Sequence, residues 1–299
     1  SMTRLGLGYD EIAVVNPGIV YCSIAGYGQT GHYKDLPAHD HQIQAMSGIM
    51  DMNGSADGPP TRIGVFVGDL VTPLYAAYSI LGALRHKEKT GEGQYLDASM
   101  IDTLATLMFM EPIEDVLHDG QPVRAGNDSR HGLTGLYHLT DGDVIITLGG
   151  LTRWRNLCKA LGADELLKNP RYATSEDRET HVEELRAEIQ GRLGKLNCAD
   201  GITLLENVSI PIARVRTLPE VVDDGHFRDR GTLKPMYRQD SEAPVERGIM
   251  AGFPVTFSAG SLPKLEGGAK LGHHNEEIYS RLLDLDAAEL AELKKRGIL

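Results

Sequence analysis

The chain has 299 residues, 41% hydrophobic and 24% charged, a balance that excludes disordered and fibrous classes and leaves enough chain for a sizeable core. Thirty Lys and Arg against 42 Asp and Glu give a net charge of −12. No basic run offers the stripe that nucleic acid requires, although a few local cations could still hold a small polyphosphate.

Residues 19–24 form an apolar run between Pro17-Gly18 and a Gly-rich loop, which predicts a buried strand and a parallel sheet. Ile43, Met46, Ile49 and Met50 recur at helical spacing from Asp40, until Asn53-Gly54 and Asp57-Gly58-Pro59-Pro60 break the pattern. Residues 63–67 read as a second strand, and Gly68-Asp69 leads into a helix over 70–86, about 25 Å long at 1.5 Å per residue. Asp69 is thereby expected at a strand-to-helix junction. A short strand at 94–97 and an apolar helix over 98–110 follow.

Beyond Asp119-Gly120 the texture changes. Residues 137–139 and 144–148 flank a four-residue connection, which predicts a hairpin. A helix carrying Trp154, Leu157, Cys158 and Leu161 comes next, then a charged helix over 177–193, another over 199–206 and an apolar run at 210–215. Residues 231–272 are Gly/Pro-rich with strand-like pieces, and two helices are expected near 274–283 and 286–296. The division expected is 1–118 for the remainder of a large α/β domain, 119–232 for a small α+β domain, and 233–299 for a return segment and terminal helices packing on the large domain.

Gly26-Tyr27-Gly28-Gln29-Thr30-Gly31 has the spacing of a dinucleotide fingerprint, but polar residues and Pro37 follow where a helix must open, so a flexible loop is expected instead. The eleven histidines show no i, i+4 metal pair, and no bound metal is expected. No serine sits on a nucleophile elbow. Cys22, Cys158 and Cys198 lie far apart and match no metal spacing, which fits a reducing, cytoplasmic setting. No apolar stretch is expected to reach the roughly 18 to 20 residues of a membrane span, no signal-peptide order opens the chain, and neither membrane nor nucleic acid is an expected partner. Ser1-Met2 reads as an added remnant, with the true start upstream. Asp69 reads either as a helix N-cap or as a reactive carboxylate, two roles that can coexist. For His39 and Asp40, capping or surface exposure is the default.

Taken in order, Arg4-Leu5-Gly6-Leu7-Gly8-Tyr9, Asn16-Pro17, the 26–31 loop, Gln44-Ala45-Met46-Ser47-Gly48, Gly68-Asp69, Lys89-Thr90-Gly91-Glu92-Gly93-Gln94, Gly126-Asn127 and Leu271-Gly272-His273-His274 resemble the family III coenzyme-A transferases of the CaiB/BaiF type. The resemblance covers essentially the whole chain. It implies an α/β fold, with a Rossmann-like parallel-sheet large domain, a smaller α+β domain and a homodimer of interlocked rings. It also implies that Asp69 attacks an acyl-CoA thioester to give an acyl-aspartyl anhydride and CoA thiolate, from which the thioester is rebuilt on an acceptor acid. Coenzyme A and acyl-CoA are then substrates, with no permanently bound cofactor. The resemblance further assigns Asp40 to the site, Arg4 to CoA contact, and Gly126, Asn127, His131 and Gly132 to a loop that shields the anhydride from water.

Two departures matter. Most CoA contacts of the family come from a region upstream of residue 1, so the chain could instead be a non-catalytic fragment or partner subunit. His39 before Asp40 is also what the related α-methylacyl-CoA racemases carry, and a His39/Asp69 pair of bases is the alternative mechanism. Thr152, near the place of a racemase glutamate, and the Gln44–Gly48 motif favour transfer.

Overall fold

The computed structural model describes residues 2–108, 117, 124–128, 132–237, 244–260 and 268–299. The chain forms two compact units, residues 1–215 and 216–299. The fold is mixed α/β, with one parallel and two antiparallel sheets among the described residues.

In the first unit, helix α1 (Tyr9–Val15) precedes strand β1 (Val20–Ala25). The chain then passes through α2 (Asp40–Ser47), α3 (Ile49–Met52) and α4 (Val67–Thr90) before β2 (Gln94–Ser99) returns parallel to β1, pairing Val20 with Gln94 through Ala25 with Ser99. A parallel pair needs such a helical crossover. Gly93 makes the return possible: a Cβ there would lie 2.0 Å from the Ile19 carbonyl oxygen. Helix α4 packs on both strands, while α2 packs on α4 and on α5 (Met100–Leu107). Ile43, Leu104, Met100 and Tyr27 form the core between them.

Three expectations need correction here. Residues 63–66 are loop, not strand, and α4 begins at Val67, so Asp69 is the third residue of a helix entered from a loop. The helix predicted from Asp40 breaks at Gly48, whose φ of +91° suits only glycine and separates α2 from α3. Helix α4, at 24 residues, is also long and apolar enough by composition to cross a membrane, contrary to the expectation that no stretch approaches that length. Asp69, Thr72 and Ser79 interrupt its apolar run and hid it. In the fold its Ala76 and Ala83 turn inward, while Leu70, Leu74, Tyr78 and Leu81 turn outward, each more than half exposed.

Further along this unit, β3 (Gly135–Leu139), β4 (Gly142–Ile146) and β5 (Ile212–Arg214) form an antiparallel sheet. Leu139 pairs with Gly142, so the hairpin connection is Thr140-Asp141, two residues rather than four. The strands carry α6 (Gly150–Ala160), α9 (Val182–Leu193) and α10 (Cys198–Glu206), with α7 (Asp164–Lys168) and α8 (Ser175–Thr180) between. The predicted 177–193 helix is two helices, split at His181. Trp154, Leu157 and Cys158 are buried as expected, in one core with Tyr137, Leu185 and Leu205.

The second unit has α11 (Leu218–Asp223), α12 (Gly225–Asp229), the antiparallel pair β6 (Leu233–Tyr237) and β7 (Pro244–Ala251), then α13 (Asn275–Leu283) and α14 (Ala287–Lys295).

Leu185 is fully buried beneath β3. Leu185→Ala is expected to lower unfolding free energy by about 2–5 kcal/mol in urea titration, the cost of lost transfer energy plus a cavity.

Candidate functional site

The first turn of α4 lacks a cap of its own. Its N-cap residue is Phe66, which has no side-chain oxygen to offer the orphan N–H groups. Asp40 supplies the missing acceptor from another helix, its Oδ1 taking the Gly68 N–H at 2.7 Å. Its Oδ2 accepts from Gln44 Nε2 at 2.6 Å, one turn further along α2. Gln44 in turn donates to the Val65 carbonyl at 3.1 Å and accepts the Ile63 N–H at 3.0 Å. Asp40 and Gln44 are buried, and between them they fix residues 63–68 at three backbone positions. Asp40 is therefore not at the surface, as its place before a helix had led us to expect. Gly68 is closely packed, for a Cβ there would meet the Asp40 carboxylate at 3.0 Å and Met100 at 3.2 Å.

One residue later stands Asp69, exposed, with no hydrogen bond or ion pair to any described residue. It is not walled off in hydrocarbon, and it lies at the helix end where N–H dipoles favour an anion. It is not the N-cap. His39 is the N-cap of α2 and exposed, its N–H bonded to Gln42 Oε1 at 2.9 Å.

His41, one residue beyond Asp40, accepts a hydrogen bond from Arg62 through Nε2, and its ring lies 5.4 Å from that of Phe66. Sequence reading singled out Asp40 and Asp69 but missed Gln44 as a linker, and missed Arg62 and His41 altogether. The i, i+4 spacing of Asp40 and Gln44, which places both on one helix face, was the available signal.

The other predicted residues lie apart. Arg4 is exposed in the turn Thr3–Leu5 and makes no hydrogen bond or ion pair among the described residues. A cavity of about 570 Å³ opens beside that turn, between Thr3, Gly8, Tyr21, Cys22, Gln29 and Tyr95. The 26–31 loop runs into no helix, and Gln29 N–H bonds Asp97 at 2.8 Å. Gly126, at φ +62°, approaches Ser55, and Arg124 anchors the segment by donating to the Asp51 carbonyl at 2.8 Å and the Gly58 carbonyl at 2.5 Å. Asn127 is exposed. Gly132 borders a separate cavity of about 230 Å³ with Trp154 and Arg178. No hydrogen bond joins either end of the 126–132 loop to Asp69, and His131 lies outside the described residues.

Thiol nucleophiles are disfavoured. Burial and the Asp97 carboxylate push the Cys22 thiol up, burial raises Cys158 to about 12, and burial with Asp141 raises Cys198.

The site thus joins a parallel strand–helix–strand layer to an unpartnered carboxylate on a helix's first turn. Residues 1–275 match the profile of CoA-transferase family III, and the chain belongs to that family. It is 31% identical over 284 residues to a succinate–glutarate CoA-transferase of Agrobacterium fabrum, covering 94% of this chain and 70% of that protein. It is 32% identical over 286 residues to a succinyl-CoA:mesaconate CoA-transferase of Haloarcula hispanica, covering 93% and 70%. A CaiB/BaiF family protein from Brucella suis superposes with a TM-score of 0.79 at 30% identity, covering 94% of this chain and 72% of that one. Rv3272 from M. tuberculosis shares the fold, with a TM-score of 0.76 at 22% identity over 92% and 73%.

Asp40→Ala leaves the Gly68 N–H and one Gln44 donor unsatisfied, each at about 1–3 kcal/mol. A drop in stability of that order is expected in thermal or urea unfolding, with Gly68→Ala destabilising in the same assay.

Proposed function

We propose that this chain moves CoA between an acyl-CoA thioester and a carboxylic acid, with Asp69 as the covalent nucleophile. The observation that carries the reading is an exposed, unpartnered carboxylate on a turn held rigidly from behind by Asp40 and Gln44. An Asp69 oxygen attacks the thioester carbonyl, the C–S bond breaks, and an acyl-aspartyl anhydride and CoA thiolate result. The thiolate cleaves the anhydride at the aspartyl carbonyl, releasing the donor acid and leaving CoA on Asp69. An acceptor carboxylate attacks that thioester, and the thiolate then returns to the acceptor's own carbonyl. Every bond broken is replaced by one of similar activation, and no water is consumed. The Gly126–Gly132 loop is proposed to keep water out, and Arg4 to meet CoA.

The two curated relatives above take their names from dicarboxylic acids, and the same class is proposed for the acids here. A second copy of the chain belongs to this reading. Leu70, Leu74, Tyr78 and Leu81 form one outward apolar stripe along α4 of the kind that packs against another subunit.

Incubation with acyl-CoA and hydroxylamine is expected to modify Asp69, detected by peptide mass, and Asp69→Asn should remove exchange by at least about a thousandfold, the scale of losing a nucleophile. Unmodified Asp69 with retained exchange would refute the assignment. Leu81→Arg is expected to convert a dimer to monomer in sedimentation equilibrium; an unchanged mass excludes this face.

A further inference from the structure

Resting on the reading of Asp69 as nucleophile, we infer that Arg62, seated on His41 beside the first turn of α4, holds the second carboxylate of a dicarboxylic acid whose first carboxylate reacts at Asp69. His41 joins the two sides of this arrangement. Its Nε2 accepts from Arg62, and its ring packs 5.4 Å from the Phe66 ring. Phe66 is the N-cap of α4, with the Leu70 N–H bonded to its carbonyl at 2.9 Å, so Phe66 and Asp69 lie three residues apart across the first turn. Through one imidazole and one phenyl ring, the Arg62 head is tied to the turn that carries the nucleophile.

Arg62 has no carboxylate partner among the described residues. Arg85, Arg171, Arg186 and Arg192 each face a carboxylate within 4.0 Å. Arg124, which docks on residues 51–58 from the 124–128 segment, spends its donors on Asp51 and Gly58. Arg62 instead meets an imidazole nitrogen, which takes one donor and leaves the positive charge uncompensated, with the rest of the guanidinium fork exposed. A guanidinium in that state presents paired N–H groups matched to a carboxylate. The need for it is electrostatic. A dianion approaching a chain of net charge −12, and an attacking carboxylate as well, meets repulsion that a local cation must offset. A monocarboxylate has no group for Arg62 to hold, so selectivity for diacids follows from this one side chain.

The test compares glutarate with butyrate, which is glutarate lacking one carboxylate, as acceptors, using the full chain and one acyl-CoA donor. The ratio of kcat/KM for glutarate over butyrate is expected to exceed one in the unaltered protein and to fall about ten- to a hundredfold in Arg62→Gln, the loss of a charge-assisted pair. An unaltered protein that takes butyrate as readily as glutarate overturns the inference. So does an equal loss on both acids, which would mark Arg62 as a support of the 62–68 segment. Calorimetric titration of glutarate reads the subsite apart from the chemistry. Weaker binding by Arg62→Gln supports the subsite even if Asp69→Asn keeps exchange, and equal binding overturns it even if Asp69 proves to be the nucleophile.

Discussion

The link from the Asp40 carboxylate to the Gly68 N–H is the contact on which the rest of this site depends. Burying a carboxylate is costly unless its oxygens are used, and here each oxygen has a donor. The return on that burial is positional. A helix start that would otherwise fray against solvent is fastened to a second helix, and Asp69 is carried one residue beyond the fastening point. Gln44, fully buried, extends the same constraint back along the incoming loop to Val65 and Ile63. Three residues separated by up to 28 positions thus behave as one rigid support, which is what a nucleophile needs if its approach to a carbonyl is to be set before the substrate arrives.

The parallel pair explains why that support is available. Strand β1 feeds the loop that leads to α2, and α4 covers both strands on its way to β2. The capping helix and the capped helix are therefore parts of one crossover, placed side by side by the register of two strands. Ile43 and Leu104 fill the space between α2 and α5, so the face of α2 that bears Asp40 and Gln44 cannot rotate away from α4. The site borrows its stiffness from the core rather than from its own loop.

Much of this was readable from the amino-acid order, for reasons that also explain the misses. Apolar runs at 19–24 and 94–97 announced strands because buried parallel strands are apolar on both faces. The run at 63–67 looked the same and was misread. Its Ile63 N–H and Val65 carbonyl are met by a glutamine side chain instead of a neighbouring strand, and periodicity carries no record of which partner a peptide group finds. Asp40 invited a surface reading because an acidic residue at a helix start is commonly solvated; its burial comes from a glycine 28 positions away. Arg62 and His41 offered no motif at all, since their meeting depends on that same fold-back. The Trp154 and Leu157 face was legible because a helix packing on a sheet shows its stripe in local spacing alone.

Pro73 completes the physical picture of the first turns of α4. An α-helix would send the N–H of residue 73 to the carbonyl of residue 69, but proline has no N–H and its ring crowds that carbonyl. The hydrogen-bond ladder of α4 is therefore interrupted at Asp69, and Thr72, fully buried beside the break, has a hydroxyl with no partner among the described residues. A turn weakened from within is secured from outside, by Asp40 at its N–H end. Separating the turn from the ladder lets its geometry be governed by the α2 contact while the remaining turns of α4 pack on the sheet. The two demands on α4, a well-packed crossover and an exposed carboxylate at a fixed angle, are met by different residues on either side of Pro73.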